Sequence, residues 1–164
     1  MPDPFVITPL PVGQGTLALC PLPGRLGDFP GDMAQILRFA PDLILSLTQD
    51  AERSAHGAAT LPDQITRAGI VWHPFPIPDF GIPPADADWS AAANAATKIL
   101  AKGGRVLVHC RGGLGRSGMV ALRLMIEHGE APDDALTRLR AVRPGAVETA
   151  AQHRWARSPA RSHP

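Results

Sequence analysis

The chain has 164 residues, 45% of them hydrophobic and 19% charged, with a formal net charge of +1. That is one ordinary domain, long enough to bury a core and too short for two enzyme domains. The balanced charge gives no electrostatic reason to expect nucleic acid or a membrane as partner, and so much apolar content argues against disorder.

Residues 1–15 form an N-terminal extended segment broken by prolines, without the basic start or long apolar run of a secretory signal. Proline stands at 18 positions, about double the usual usage, so stiff loops are expected throughout. Short β-rich apolar runs bounded by Gly or Pro predict strands over 16–20, 43–47, 70–75 and 105–109. A short helix is expected over 31–39. A stronger one spans 86–102, where Trp89, Ala92, Ala93, Ala96, Ile99 and Leu100 recur at helical spacing, Asp86 and Asp88 favour the start and Gly103 stops it. The stretch 117–128 is apolar nearly all round, as a buried central helix should be. Pro132 opens a further helix over 132–142, with Asp133 and Asp134 in its first turn. A last short helix is expected over 148–156, and residues 158–164 are a disordered basic tail. Alternating strands and helices predict a single α/β domain over 16–157, with a mainly parallel central sheet of four to five strands flanked by helices.

The specific chemistry lies in residues 106–118, VLVHCRGGLGRSG. A buried strand ends at His109, Cys110 follows, and Arg111, Gly112, Gly113, Leu114 and Gly115 form a loop leading to Arg116 and Ser117 at a helix start. Glycines let consecutive backbone N–H groups turn inward as a nest for an anion. The helix N-terminus adds partial positive charge at the same place, and Arg116 can grip two phosphate oxygens with its planar fork. In that field the thiolate is the favoured form of Cys110, so phosphate cradle and nucleophile are one structure.

The run His-Cys, five residues, Arg, Ser resembles the signature of the cysteine-based protein phosphatases. The resemblance extends to LCPLPGR (19–25), PFPIPDFGIP (74–83) and GAVETAAQ (145–152), which look like the kinase-associated type of dual-specificity phosphatase, in that order and at similar spacing. It implies that Cys110 attacks phosphorus, that Arg116 and the amides of Cys110 to Arg116 hold the phosphoryl oxygens, and that Asp79 is the general acid and later base. Ser117 would hydrogen-bond the departing thiolate and His109 would fix the loop. Gln152 matches a family glutamine that helps position water, and Glu148 stands where relatives have another glutamine. No metal or cofactor is expected. The expected partner is a phosphorylated protein or peptide, with no nucleic acid and no membrane, and the chain is expected to be a cytoplasmic monomer.

Asp79, between prolines and a glycine, is also what a plain turn would carry; the five prolines from Pro74 to Pro84 stiffen a loop where a placed acid is wanted, and Asp86 and Asp88 suit a helix start better. Gly113 to Gly118 also spells G-x-G-x-x-G. A dinucleotide fingerprint needs its first glycine directly after the strand and an acidic residue closing a second strand about twenty residues on, and neither is present. A Walker loop fails for want of Lys-Ser or Lys-Thr. Cys20 reads as a core residue, with a redox pairing to Cys110 left open. His56, His73 and His128 lack metal-ligand spacing, and Trp72, Trp89 and Trp155 read as packing. The chain has no tyrosine, so the tyrosine-bearing rim of a deep tyrosine-specific pocket is absent, which favours phosphotyrosine and phosphoserine/threonine alike. Phosphoinositide and RNA 5′-phosphates are the next substrates in order. A silent phosphoprotein-binding module is the rival from outside the enzymes.

Overall fold

The computed structural model describes residues 4–158. Five strands form one sheet in the order β1-β2-β5-β3-β4: β1 (Thr8–Val12), β2 (Gly15–Cys20), β3 (Leu43–Ser46), β4 (Val71–Pro74) and β5 (Arg105–His109). All neighbours are parallel except β1, which pairs antiparallel with β2, Thr8 opposite Leu19 and Val12 opposite Gly15. The α/β class and the mainly parallel sheet expected from the sequence are what the structure has.

The period of two along each strand divides the interior. Leu17, Leu19, Leu43, Leu45, Val106 and Val108 face one side, and Ala18, Cys20, Ile44 and Leu107 face the other. The first face is covered by α4 (Trp89–Ala101), α5 (Gly115–Glu127), α6 (Pro132–Val142) and α7 (Ala150–Arg157). The second face is covered by α1 (Phe29–Phe39), through Met33 and Ile36, and α3 (Leu61–Arg67), through Leu61 and Ile65. Between β3 and α3 lies the short helix α2 (Asp50–Ala55). Neither α2 nor α3 is legible in the sequence, because six or seven residues carry too little periodicity to register.

The helix starts follow local chemistry. Asp28 caps α1 by accepting from the Gly31 N–H at 3.0 Å, and Asp88 does the same for α4 with Ala91. Helix α5 begins two residues earlier than the sequence pattern predicts, so Arg116 and Ser117 lie in its first turn. Thr149 caps α7 in a box completed by Gln152.

The sheet takes in part of the proline-broken segment 1–15, so the folded unit begins before residue 16. Strand β1 is an edge, and its Pro9 and Pro11, two residues apart, put both missing N–H groups on the same side. Leu10 and Val12 between and after them are buried in the main core. Residues 159–164, most of the basic tail, lie outside the described residues. Replacing Leu10 by Ala is expected to destabilise the protein by about 2–5 kcal/mol in urea titration, whereas an appendage outside the fold would show no change.

Candidate active site

The parallel strands β2, β3, β4 and β5 end on one side of the sheet, the side where open α/β sheets bind ligands, and Glu52, Asp79 and the loop from Cys110 follow those ends. His109 closes β5, and the chain turns through Cys110 to Leu114 into α5. Gly113 has a φ of +72°, and a Cβ there would lie 2.8 Å from Cys20 C and Pro21 N, so glycine is demanded twice. Its N–H donates to Cys110 Sγ at 3.2 Å. The sulfur thus sits in the nest formed by its own loop.

Arg116 is the most buried cation among the described residues, its side chain 1% exposed. Nη1 and Nη2 donate to the two oxygens of Glu52 at 2.8 and 2.7 Å, and Nη1 also donates to the Ile77 carbonyl at 2.9 Å. Asp79 Oδ1 lies 3.1 Å from Nη2, and Asp79 Oδ2 accepts from Arg111. The Asp79 carboxylate therefore rests on both arginines of the loop. Two buried side-chain polar atoms among the described residues have no hydrogen-bond partner, Arg116 Nε and Ser117 Oγ. Such atoms are rare, and here both belong to adjacent residues in the first turn of α5.

Glu52 comes from α2, directly after β3, and it is the partner that sequence reasoning misses. Burial pushes its pKa up, but the hydrogen bonds from Arg116 and the Gln49 amide, with the Arg116 charge, outweigh that and leave it below the ordinary value. The signal that could have found it is topological: an acidic residue just past the carboxyl end of a parallel strand.

His109 does not touch the sulfur. Its Nδ1 lies 3.3 Å from the Cys110 carbonyl and so carries the proton, which leaves Nε2 to accept from Ser46 Oγ at 2.7 Å. Ser46 in turn faces Thr48 Oγ1 at 3.4 Å, which accepts from Arg53 at 3.1 Å. Burial, with the nearby Arg53 and Arg116 charges, pushes the His109 pKa down to about 4, so the ring is neutral and serves as a strut.

Gln152 is fully buried, and its carboxamide oxygen accepts from the N–H groups of Glu148 and Thr149 at 2.9 and 3.2 Å. Its Nε2 donates to the Gly81 carbonyl at 3.1 Å, two residues beyond Asp79. One N–H is all it retains for a water, and its evident work is tying the acid loop to α7. Glu148 lines the mouth of the site, a cavity of about 170 Å³ shared with Arg25, Asp79, Phe80, Arg111 and Leu114. Cys20 and Cys110 are free thiols, and Cys20 packs into the core on the other sheet face from Cys110. Burial first, and then the neighbouring Cys110, push the Cys20 thiol well up in pKa.

Two outcomes are expected. The folded state holds His109 near 4, below its ordinary 6.5, so folding disfavours the proton. Stability from this group is full above pH 6.5 and falls as the pH drops toward 4, by about 3 kcal/mol in total. Urea midpoints across that range should show the slope, and His109→Asn should flatten it. Glu52→Gln keeps the shape but removes the charge facing a buried guanidinium; a stability loss of about 3 kcal/mol and at least a roughly tenfold loss of kcat/KM on an aryl phosphate should follow.

Comparison with known proteins agrees with this geometry. The sequence model of the cyclin-dependent kinase inhibitor 3 (CDKN3) family matches residues 15–136. Rat cyclin-dependent kinase inhibitor 3 is 36% identical over 149 residues, covering 85% of this chain and 69% of the rat protein. Tyrosine-protein phosphatase CDC14 of Candida albicans is 40% identical over 61 residues, 37% of this chain and 11% of that protein. The crystal structure of a kinase-associated phosphatase with its catalytic-site cysteine changed to serine superposes with a TM-score of 0.80 at 26% identity, over 95% of this chain and 94% of that one. The family match and these relatives show that the chain belongs to the cyclin-dependent kinase inhibitor 3 family of cysteine-dependent, dual-specificity-type protein phosphatases.

Proposed function

We propose that the chain removes phosphoryl groups from phosphotyrosine and from phosphoserine/threonine in protein substrates, through a phosphocysteine at Cys110. The observation that carries the residue assignment is the pair of buried, partnerless atoms at Arg116 Nε and Ser117 Oγ. A buried donor without an acceptor costs about 1–3 kcal/mol, and a phosphoryl oxygen at Arg116 and the sulfur of Cys110 at Ser117 are the partners that would remove that cost.

In this reading the substrate phosphoryl group displaces the Asp79 carboxylate from Arg116 and Arg111 and takes the inward amides of the loop. The freed Asp79 carboxyl takes up a proton from solvent; Cys110 Sγ attacks phosphorus in line as the thiolate, the P–O bond to the substrate breaks, and Asp79 passes that proton to the leaving oxygen. Arg116 and the amides hold the equatorial oxygens as charge spreads onto them. A water then attacks the phosphocysteine with Asp79 as base, and the S–P bond breaks to release inorganic phosphate. Ser117 donates to the thiolate as it departs. Glu52 and His109 act through others, the first by aiming Arg116 and the second by holding the Cys110 carbonyl.

Both substrate types are supported by the exposed Arg25 and Phe80 at the mouth, the latter 57% exposed. The absence of tyrosine anywhere in the chain points the same way.

The test is steady-state hydrolysis of aryl and alkyl phosphates and of matched phosphopeptides, with chelator present. Cys110→Ser is expected to abolish turnover and retain phosphate binding. Asp79→Asn should slow alkyl esters by about 10²–10⁴ and activated aryl esters far less, because only a poor leaving group needs the proton. Equal effects on both ester types would remove Asp79 from the role of acid. No turnover by folded, reduced wild type would leave a phosphate-binding module in place of an enzyme.

A further inference from the structure

A phosphate nest works only if its backbone N–H groups point inward, and a peptide plane that turns its N–H inward must turn its C=O outward. In this loop each outward carbonyl has a donor waiting behind it. The Cys110 carbonyl meets His109 Nδ1 at 3.3 Å, and the Arg111 carbonyl accepts from the Leu22 N–H at 3.0 Å. The Leu114 carbonyl accepts from Gly118 and Val147 N–H groups at 2.9 and 3.1 Å. The two carbonyls between them, of Gly112 and Gly113, are both taken by one side chain: Arg143 Nη2 donates to Gly112 and Nε to Gly113, each at 3.0 Å.

Those are the two peptides least able to hold themselves. Both carbonyls belong to glycines, whose backbone has the widest freedom. The Gly112 carbonyl shares its plane with the Gly113 N–H that meets Cys110 Sγ, and the Gly113 carbonyl shares its plane with the Leu114 N–H. Arg143 comes from the far end of α6, where it is the C-cap residue, about thirty positions away in sequence, and none of its hydrogen bonds is to substrate-facing atoms. Its planar fork is suited to two fixed carbonyls at once in a way that a lysine ammonium is not.

We infer that Arg143 is a positioning residue of the reaction: it locks the Gly112–Gly113 and Gly113–Leu114 peptides with their N–H groups turned into the nest, the first on Cys110 Sγ and the second toward the phosphoryl group, and brings a second guanidinium charge to the back of the nest. The inference rests on the phosphatase reading of the loop. The outer side of Arg143 borders a surface cavity of about 370 Å³ with Val6, Thr8, Val142 and Pro144, which gives a small planar cation a route to the same place.

The experiment compares wild type, Arg143→Ala and Arg143→Lys by kcat and KM for an aryl phosphate, by the inhibition constant of orthovanadate, and by melting temperature. Wild type should turn over the ester and bind vanadate. Arg143→Ala should lose about 10–100-fold in kcat/KM, less than the roughly 10²–10³ that deletion of an oriented oxyanion donor itself costs because the amides remain, with a parallel rise in the vanadate constant and partial recovery on adding millimolar guanidinium. Arg143→Lys, which keeps the charge and donors but loses the planar fork, should fall between. A folded Arg143→Ala within twofold of wild type in both constants overturns the inference. So does a loss of activity that leaves vanadate binding unchanged and is not recovered by guanidinium, since that is the mark of a merely structural role. If Arg143→Ala does not fold, Arg143→Lys decides: wild-type values overturn the inference, and weakened vanadate binding in a folded protein upholds it. Wild type that neither turns over the ester nor binds vanadate overturns the phosphatase reading itself, and the inference with it.

Discussion

A guanidinium that is 1% exposed cannot be left without counter-charge, and the site is built around satisfying Arg116. Removing a charge from water costs several kcal/mol even after relaxation, and the cost is recovered only with good geometry and filled hydrogen bonds. Glu52 supplies a bidentate carboxylate and Ile77 a carbonyl, which together fix the plane of the fork. Once the plane is fixed, Nε faces a direction in which the protein offers nothing. The guanidinium is thus held by one edge and presents the other, which is what a site for a transient dianion requires.

That arrangement needs three strand ends at one place. Helix α2, bearing Glu52, follows β3; Ile77 and Asp79 follow β4; Cys110 and the loop follow β5. In the parallel register Ser46 of β3 lies opposite His109 of β5 and Pro74 of β4, so the three connections leave the sheet at the same level. The Leu47 N–H donates to the His109 carbonyl, and the Leu47 carbonyl accepts from the Ile77 N–H. The acid loop is therefore stitched to β3 before it reaches Asp79, and Gln152 of α7 secures it again at Gly81. Sheet geometry fixes the loop ends, and buried polar contacts fix what lies between.

This explains which parts were legible in the sequence. The segment from His109 to Ser117 is a local device, strand then glycines then helix start, and its meaning is carried by spacing alone. Asp79 could be picked out because prolines on both sides mark a stiff loop at a strand end. Strand β1 was hidden because Pro9 and Pro11 look like breakers, and only the edge position makes them harmless. Glu52, Ser46 and Arg143 were invisible for a different reason. Their partners lie 64, 63 and 30 or 31 positions away, and nothing local distinguishes them from a surface carboxylate, a strand hydroxyl or a helix-end arginine. The groups that would touch the phosphoryl oxygens are written locally; the groups that aim them are written only in the fold.

A net charge of +1 gives no hint of an anion site, because the carboxylates that face the two arginines of the site enter the same sum. Arg116 is paired to Glu52, and the carboxylate of Asp79 bridges Arg111 and Arg116. The first pairing is buried and rigid, with Glu52 at 14% side-chain exposure, while the second lies at the mouth, with Asp79 at 32%. An incoming phosphoryl group competes with Asp79 alone, since Glu52 grips the opposite edge of the fork. Displacement releases the carboxylate next to the bond that must be protonated, at the moment when the arginines acquire a stronger acceptor. Substrate binding and delivery of the acid are thereby one exchange of partners, and the cation that drives it is aimed by a residue that never meets the substrate.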